Sequence, residues 1–244
     1  MSDLPAPPLR PGHPAVEEYH GVWSAASEDG PVAGQIEFQY SGIKHQADTA
    51  LSGMWLFLAT EVLFFGGLFL LYAVYRFADP GGIAEGSRHA EFAIGTANTF
   101  LLLTSSAVFA WGVGCAERGR NRALFHAALV TALIGVAFLL LKGWEWKKDL
   151  DDHLFPGPGF GITGPHRGGA ELFWSFYFVG TGLHGLHMLV GIGLVAWIAW
   201  TVRSGRYSPR YLTRVEVVGL YWGFVDMVWL CLYPSIYLAG RLAS

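Results

Sequence analysis

The chain has 244 residues, of which 52% are hydrophobic and only 14% charged, and its formal charge is −3. Water-soluble domains carry about 25% charged residues, so this composition excludes an ordinary soluble domain and points to a polytopic membrane protein. The near-neutral charge, with no basic stripe interleaved with aromatics, excludes nucleic acid as a partner.

Residues 1–47 read as a polar, Pro-containing N-terminal tail beginning with LPAPPLRPGHP, without the basic-then-apolar pattern of a cleavable signal. Residues 48–241 read as a transmembrane domain with spans predicted near 51–75, 92–116, 124–144, 172–202 and 217–238. Each span reaches about 20 residues, enough at a rise of about 1.5 Å per residue to cross roughly 30 Å of hydrocarbon. The segments are apolar nearly all round, whereas helices of a soluble bundle keep a polar stripe. The expected fold class is all-α: a polytopic integral membrane helical bundle with five transmembrane helices.

The stretch KKDLDDHLFPGPGFGITGPHRGG after the third span reads as a long surface loop, because its glycines and prolines oppose regular helix. Nothing in it forms a phosphate-binding turn. Five spans place the termini on opposite sides. The N-terminal side carries nine Lys and Arg against seven, with dense clusters at Arg118, Arg120 and Arg122 and at Arg203, Arg206, Arg210 and Arg214. The acidic run Asp149 to Asp152 falls on the other side. The positive-inside rule then predicts a cytoplasmic N-terminus and an outer C-terminus. Cys115 and Cys231 have no CxxC or metal-type spacing and read as small buried hydrophobes.

Polar residues inside the spans are the candidates for function, because each is costly in hydrocarbon. Glu61 stands mid-span in WLFLATEVLFFGGLFLLY. It suits either a proton-relay carboxylate or a neutral acid that hydrogen-bonds a neighbouring helix. His184 and His187, three apart in TGLHGLHMLVG, share one helical face and suit either a metal site or interhelical hydrogen bonds. Lys142 and Glu145 are also three apart, so they can neutralise each other, or the lysine can snorkel outward. Glu216 marks the entry to the fifth span, and Asp226 lies inside it. Asn98, Thr99, Thr104, Ser105 and Ser106 can bond their own helix or hold a carboxylate on another. Gly66, Gly67, Gly112, Gly114, Gly182, Gly185 and Gly193 read as close-approach points between helices. No catalytic triad, nucleophile elbow or paired acids stand out, so no complete active site is expected. A transporter using Glu61 and Asp226 stays open on residues alone, although five spans do not divide into inverted repeats.

In order along the chain, WLFLATEVLFFGGLF, NTFLLLTSS, GWEW, FYFVGTGLHGLHMLVG and VEVVGLYWGFVDMVWLCLYPSIYL resemble the cytochrome c oxidase subunit 3 family of the haem-copper oxidases, in its short five-helix form. The resemblance implies a non-catalytic subunit of a proton-pumping terminal oxidase, aa3/caa3-like, in a prokaryotic cell (inner) membrane. It implies no cofactor in this chain, with haem and copper in partner subunits, and structural phospholipid in a cleft. It further implies direct packing on subunit I, association with subunit II and further subunits, and support of proton uptake and of resistance to turnover-linked inactivation. The family's intramembrane polar positions fall on Glu61, Glu145, His184, His187, Glu216 and Asp226. Two departures are Gly223, where histidine is usual, and Lys142, where glutamine is common. Third subunits of quinol oxidases and nitric oxide reductases are related alternatives, and the Thr60–Glu61 pair favours the cytochrome c branch.

Overall fold

The computed structural model describes residues 43–205 and 212–241, so most of the predicted tail lies outside the described residues. Six α-helices are described: α1 (Ile43–Ala78), α2 (Pro80–Arg88), α3 (Phe92–Glu117), α4 (Asn121–Asp151), α5 (Arg167–Arg203) and α6 (Leu212–Tyr233). A π turn, Pro234–Leu238, extends α6. All except α2 give segments long and apolar enough to cross a membrane, and no strand occurs among the described residues. The protein is an all-α, multi-pass membrane bundle.

Several boundaries differ from the sequence expectation. Residues 43–47 belong to α1 rather than to the tail. The KKDLD stretch is the last turn of α4, and α5 begins at Arg167, so the long loop shrinks to residues 152–166. Apolar side chains outweigh its glycines: Leu154, Phe160 and Ile162 are buried and anchor it. The short helix α2 has no predicted counterpart. It starts where Asp79 accepts a hydrogen bond from the Gly82 backbone N–H at 2.9 Å and Pro80 occupies the first turn, a standard N-terminal cap.

α3 ends in a Schellman turn. Arg120 N–H bonds Cys115 C=O at 2.9 Å and Gly119 N–H bonds Ala116 C=O at 2.9 Å, with Gly119 at φ +70°. α3 then packs on α4, α4 on α5, and α6 closes against α3 and α5. The centre is aromatic: Trp174, Tyr177, Trp222, Trp229 and Phe138 are fully buried. α1 packs on α5 and α6 along one edge and leaves Leu56, Leu63, Leu70 and Phe77 exposed. In a membrane that face meets lipid or another chain.

Pro234 cannot donate a helical hydrogen bond, and freed carbonyls need partners where water is absent. The π turn supplies the register. Tyr72 of α1 donates to Ser235 C=O at 2.6 Å, and Ser87 of α2 donates to Ile236 C=O at 2.6 Å. The π turn is thereby tied to both helices.

Of the glycines expected at close approaches, Gly112 faces the Ala127 methyl and Gly182 the Trp146 ring, whereas Gly66, Gly67 and Gly193 face open space. The tightest junction is elsewhere, where Gly82 of α2 meets Gly169 of α5. A Cβ on Gly169 would stand 2.7 Å from Gly82 Cα. Cys115 is buried as expected, but Cys231 is exposed, and both are free thiols. Substitution Gly169→Ala should therefore destabilise the bundle by about 1–3 kcal/mol. Gly193→Ala, which fills open space on a helix, should be neutral or stabilising by up to about 1 kcal/mol. Denaturant midpoints of the two variants in detergent check both signs.

Candidate functional site

The span-embedded polar residues sort into three separate groups. The first surrounds Lys142. Lys142, Glu145 and Asp149 follow one another at i, i+3 and i+7 on the inner face of α4, and all three are buried. The Lys142 Nζ donates to Glu145 Oε2 at 3.1 Å, Tyr177 Oη at 3.0 Å and Tyr237 Oη at 2.9 Å. An ammonium has three donors and no acceptor, so its hydrogen-bonding capacity is fully used. Each tyrosine passes its own proton to a carboxylate: Tyr237 to Glu145 Oε1 at 2.6 Å and Tyr177 to Asp149 Oδ2 at 2.6 Å. The ammonium also stands 4.3 Å from the Tyr177 ring centre and 5.6 Å from that of Trp229, adding cation–π attraction in a dry setting.

This arrangement decides between the two readings of Lys142: it turns inward to Glu145 and does not snorkel. It also corrects the reading of Asp149 as a loop acid, because that carboxylate is 2% exposed and faces Tyr177. The cage needs the π turn, which brings Tyr237 inward, and it needs Gly95, where an added Cβ would lie 2.6 Å from the Tyr237 ring. Tyr177 and Tyr237 escaped the sequence reading, since they join Lys142 across 35 and 95 residues. The i, i+3, i+7 spacing of Lys142, Glu145 and Asp149 was the available signal.

The second group joins α1 to α5. His187 Nε2 lies 3.1 Å from Glu61 Oε2, and His187 Nδ1 lies 2.8 Å from Leu183 C=O. A carbonyl oxygen only accepts, so Nδ1 carries a proton. The bond to Glu61 then contains one further proton, placed either on the carboxyl or on the imidazole. The two forms are a neutral acid–base pair and an ion pair with the same geometry. Both side chains are partly exposed, 18% for Glu61 and 16% for His187. Tyr221 Oη bonds His187 C=O at 3.2 Å and Phe65 packs edge-on against the ring, fixing the histidine in place.

His184, three residues earlier, points into different surroundings. It is buried between Phe138 and Trp229, with ring centroids 5.4 and 5.1 Å away. The two histidines therefore do not converge. No cluster of three His, Cys, Asp or Glu with metal-holding geometry occurs among the described residues.

The third group lies between α3 and α6, where Ser106 hydrogen-bonds Asp226. Of the other α3 hydroxyls, Thr99 receives Trp229 Nε1 at 3.0 Å and Ser105 receives Trp222 Nε1 at 3.2 Å. Thr104 bonds back to Phe100 C=O at 2.7 Å, and Asn98 is buried. Asp226 and Glu61 occupy different interfaces and are not brought together. Glu216 sits half-buried near the start of α6 and joins none of the three groups. Gly223 faces outward with open space at its Cβ position, so a histidine there would project away from the bundle.

Comparison with known proteins gives these groups a setting. The profile of the cytochrome c oxidase subunit III family matches residues 36–241. A cytochrome c oxidase subunit 3 from Synechocystis is 34% identical over 192 residues, covering 78% of this chain and 76% of the relative. A cytochrome bo(3) ubiquinol oxidase subunit 3 from Pseudomonas putida is 31% identical over 190 residues, covering 78% and 86%. A heme-copper oxidase subunit I+III from Aeropyrum pernix is 29% identical over 197 residues, covering 78% of this chain and 23% of that longer protein.

Removing one member of a buried ion pair leaves the other charge stranded, whereas removing both does not. Lys142→Met should therefore cost about 3–5 kcal/mol of bundle stability. Adding Glu145→Leu should restore part of that loss. Unfolding in detergent checks this, and a double variant with a purely additive loss would contradict the pairing. With the match extending through every described helix, the chain belongs to the cytochrome c oxidase subunit III family.

Proposed function

We propose that this chain is a non-catalytic subunit III of a proton-pumping terminal oxidase of the cytochrome c type, which braces subunit I, retains phospholipid and supports proton uptake during oxygen reduction. The observation that carries the reading is the family match over residues 36–241, which includes every membrane span. Haem and copper belong to partner subunits. The Aeropyrum pernix relative, named as subunit I and III in one chain, supports direct packing on subunit I, since fusion keeps two domains adjacent.

A quinol oxidase is the second reading, and the Pseudomonas putida relative favours it. Thr60 does not help to choose, because its hydroxyl bonds back to Phe57 C=O at 2.6 Å rather than to Glu61. The cytochrome c type rests on the Synechocystis relative. For orientation, Lys142 is sequestered inside the bundle and leaves the tally of loop charges. The basic majority on the N-terminal side widens, which supports a cytoplasmic N-terminus. As a transporter the chain would need Glu61 and Asp226 to share a path, and they face different helices.

The geometry of Glu61 supports a role for it within this reading. At a partly exposed site halfway along α1, the pair with His187 adds a polar tie between that helix and the bundle and keeps a proton in the membrane interior. Glu61→Gln preserves a donor to His187 Nε2 but cannot release a proton. The oxidase with this variant should assemble and keep most of its initial turnover, then lose activity faster over repeated cycles. Immediate loss of turnover in an intact complex would make Glu61 an obligatory relay, and an unchanged inactivation course would remove it from any protective role. Purification through a tag on this chain in mild detergent should bring down a haem-bearing complex. A haem-free homo-oligomer that transports an ion would overturn the subunit reading.

A further inference from the structure

At the turn between α3 and α4 lies an open cavity of about 600 Å³, lined by Trp111, Arg120, Arg122 and His126 together with the turn backbone. Its lining contains no acid; Glu117, at the end of α3, is not part of it. Neither Arg120 nor Arg122 has a side-chain ion pair among the described residues. Trp111 is 57% exposed beside them, the placement expected of an aromatic at the level of lipid headgroups.

Below the cavity the chemistry changes to aliphatic along one face of α4. His126 is followed at i+3, i+7, i+10 and i+14 by Leu129, Leu133, Val136 and Leu140, all exposed. At 1.5 Å per residue this stripe runs roughly 21 Å, about the reach of an acyl chain. Two unpaired guanidiniums above an acyl-length apolar track match one class of ligand: a phosphate on a diacyl tail. Arginine suits the phosphate because its fork makes paired charge-assisted bonds. A basic protein segment would be repelled by the two arginines.

We propose that the α3–α4 turn is a binding site for an anionic phospholipid, with Arg120 and Arg122 holding the phosphate, His126 and Trp111 flanking the headgroup, and the α4 stripe receiving one acyl chain. The site lies on the outer surface of the bundle, apart from the Lys142 cage and the Glu61–His187 pair. It rests on the membrane reading of the chain and not on the identity of the oxidase.

The test counts bound lipid on the detergent-purified complex, delipidated and then titrated with phosphatidylglycerol or with phosphatidylcholine, by native mass spectrometry. Phosphatidylglycerol should occupy at least one site in preference to phosphatidylcholine. The double variant Arg120→Gln/Arg122→Gln should raise the concentration needed for half-occupancy about thirtyfold. Arg120→Lys/Arg122→Lys, which keeps both charges, should stay within about threefold of the unmodified protein. Lys147→Gln, at the far end of α4, should change nothing. Equal binding of the two lipids, or an unchanged titration in the glutamine variant, would overturn the proposal. So would a photoreactive group at Ala123 that captures a neighbouring subunit instead of lipid. Because the readout is lipid count and not turnover, the lipid site can fail while haem still co-purifies, and the reverse.

Discussion

An ammonium inside a membrane bundle is tolerated only when its charge and all three of its protons are met. That requirement at Lys142 organises much of this structure. Glu145 answers the charge, and Tyr177 and Tyr237 answer the remaining protons. These partners come from α4, α5 and the end of α6, so the three helices must arrive together. Further conditions follow outward from the same point. Tyr237 reaches inward through the Pro234 π turn, the carbonyls of that turn need Tyr72 and Ser87, and the Tyr237 ring needs the missing Cβ of Gly95. A buried pair of this kind is poor evidence of added stability, because desolvation offsets most of the attraction. Its consequence is specificity, since a slipped helix would strand a charge.

The Glu61–His187 pair works differently. It is partly exposed, it joins the outermost helix to the centre, and it holds a proton whose position can change without moving either side chain. In the role proposed above, such a group would be of use where α1 presents its open face. The Lys142 cage, by contrast, is sealed and fully bonded, and it acts as a structural centre. The two histidines thus part company despite their spacing: His187 belongs to the α1 seam, and His184 to the aromatic core around Trp229.

The five spans were legible because a membrane allows only long, apolar segments with satisfied backbones, and that constraint is written in local composition. The Lys142–Glu145 pairing was legible for a similar reason, being a one-turn neighbour relation. What escaped was non-local. The tyrosines of the cage lie far along the chain, and nothing near Tyr237 announces that a π turn will aim it inward. Asp149 was misread because DLDD looks like a loop, whereas its first aspartate completes a helical face. The short α2 was missed because its glycines oppose helix on propensity, yet Gly82 is what lets it approach Gly169. Cys231 was misjudged because an exposed helix face in a membrane protein is as apolar as its core.

We propose that these five spans act as a brace that holds no redox centre, closed on its own buried charges and seated against a haem-bearing chain. A side-chain-resolution map of the intact complex in a lipid nanodisc tests it most directly. The expected map places this bundle beside a haem-bearing subunit, with Lys142 enclosed by Glu145, Tyr177 and Tyr237 and with no redox group held by His184 or His187. A haem or metal liganded by either histidine, or a symmetric assembly of this chain alone, would contradict it.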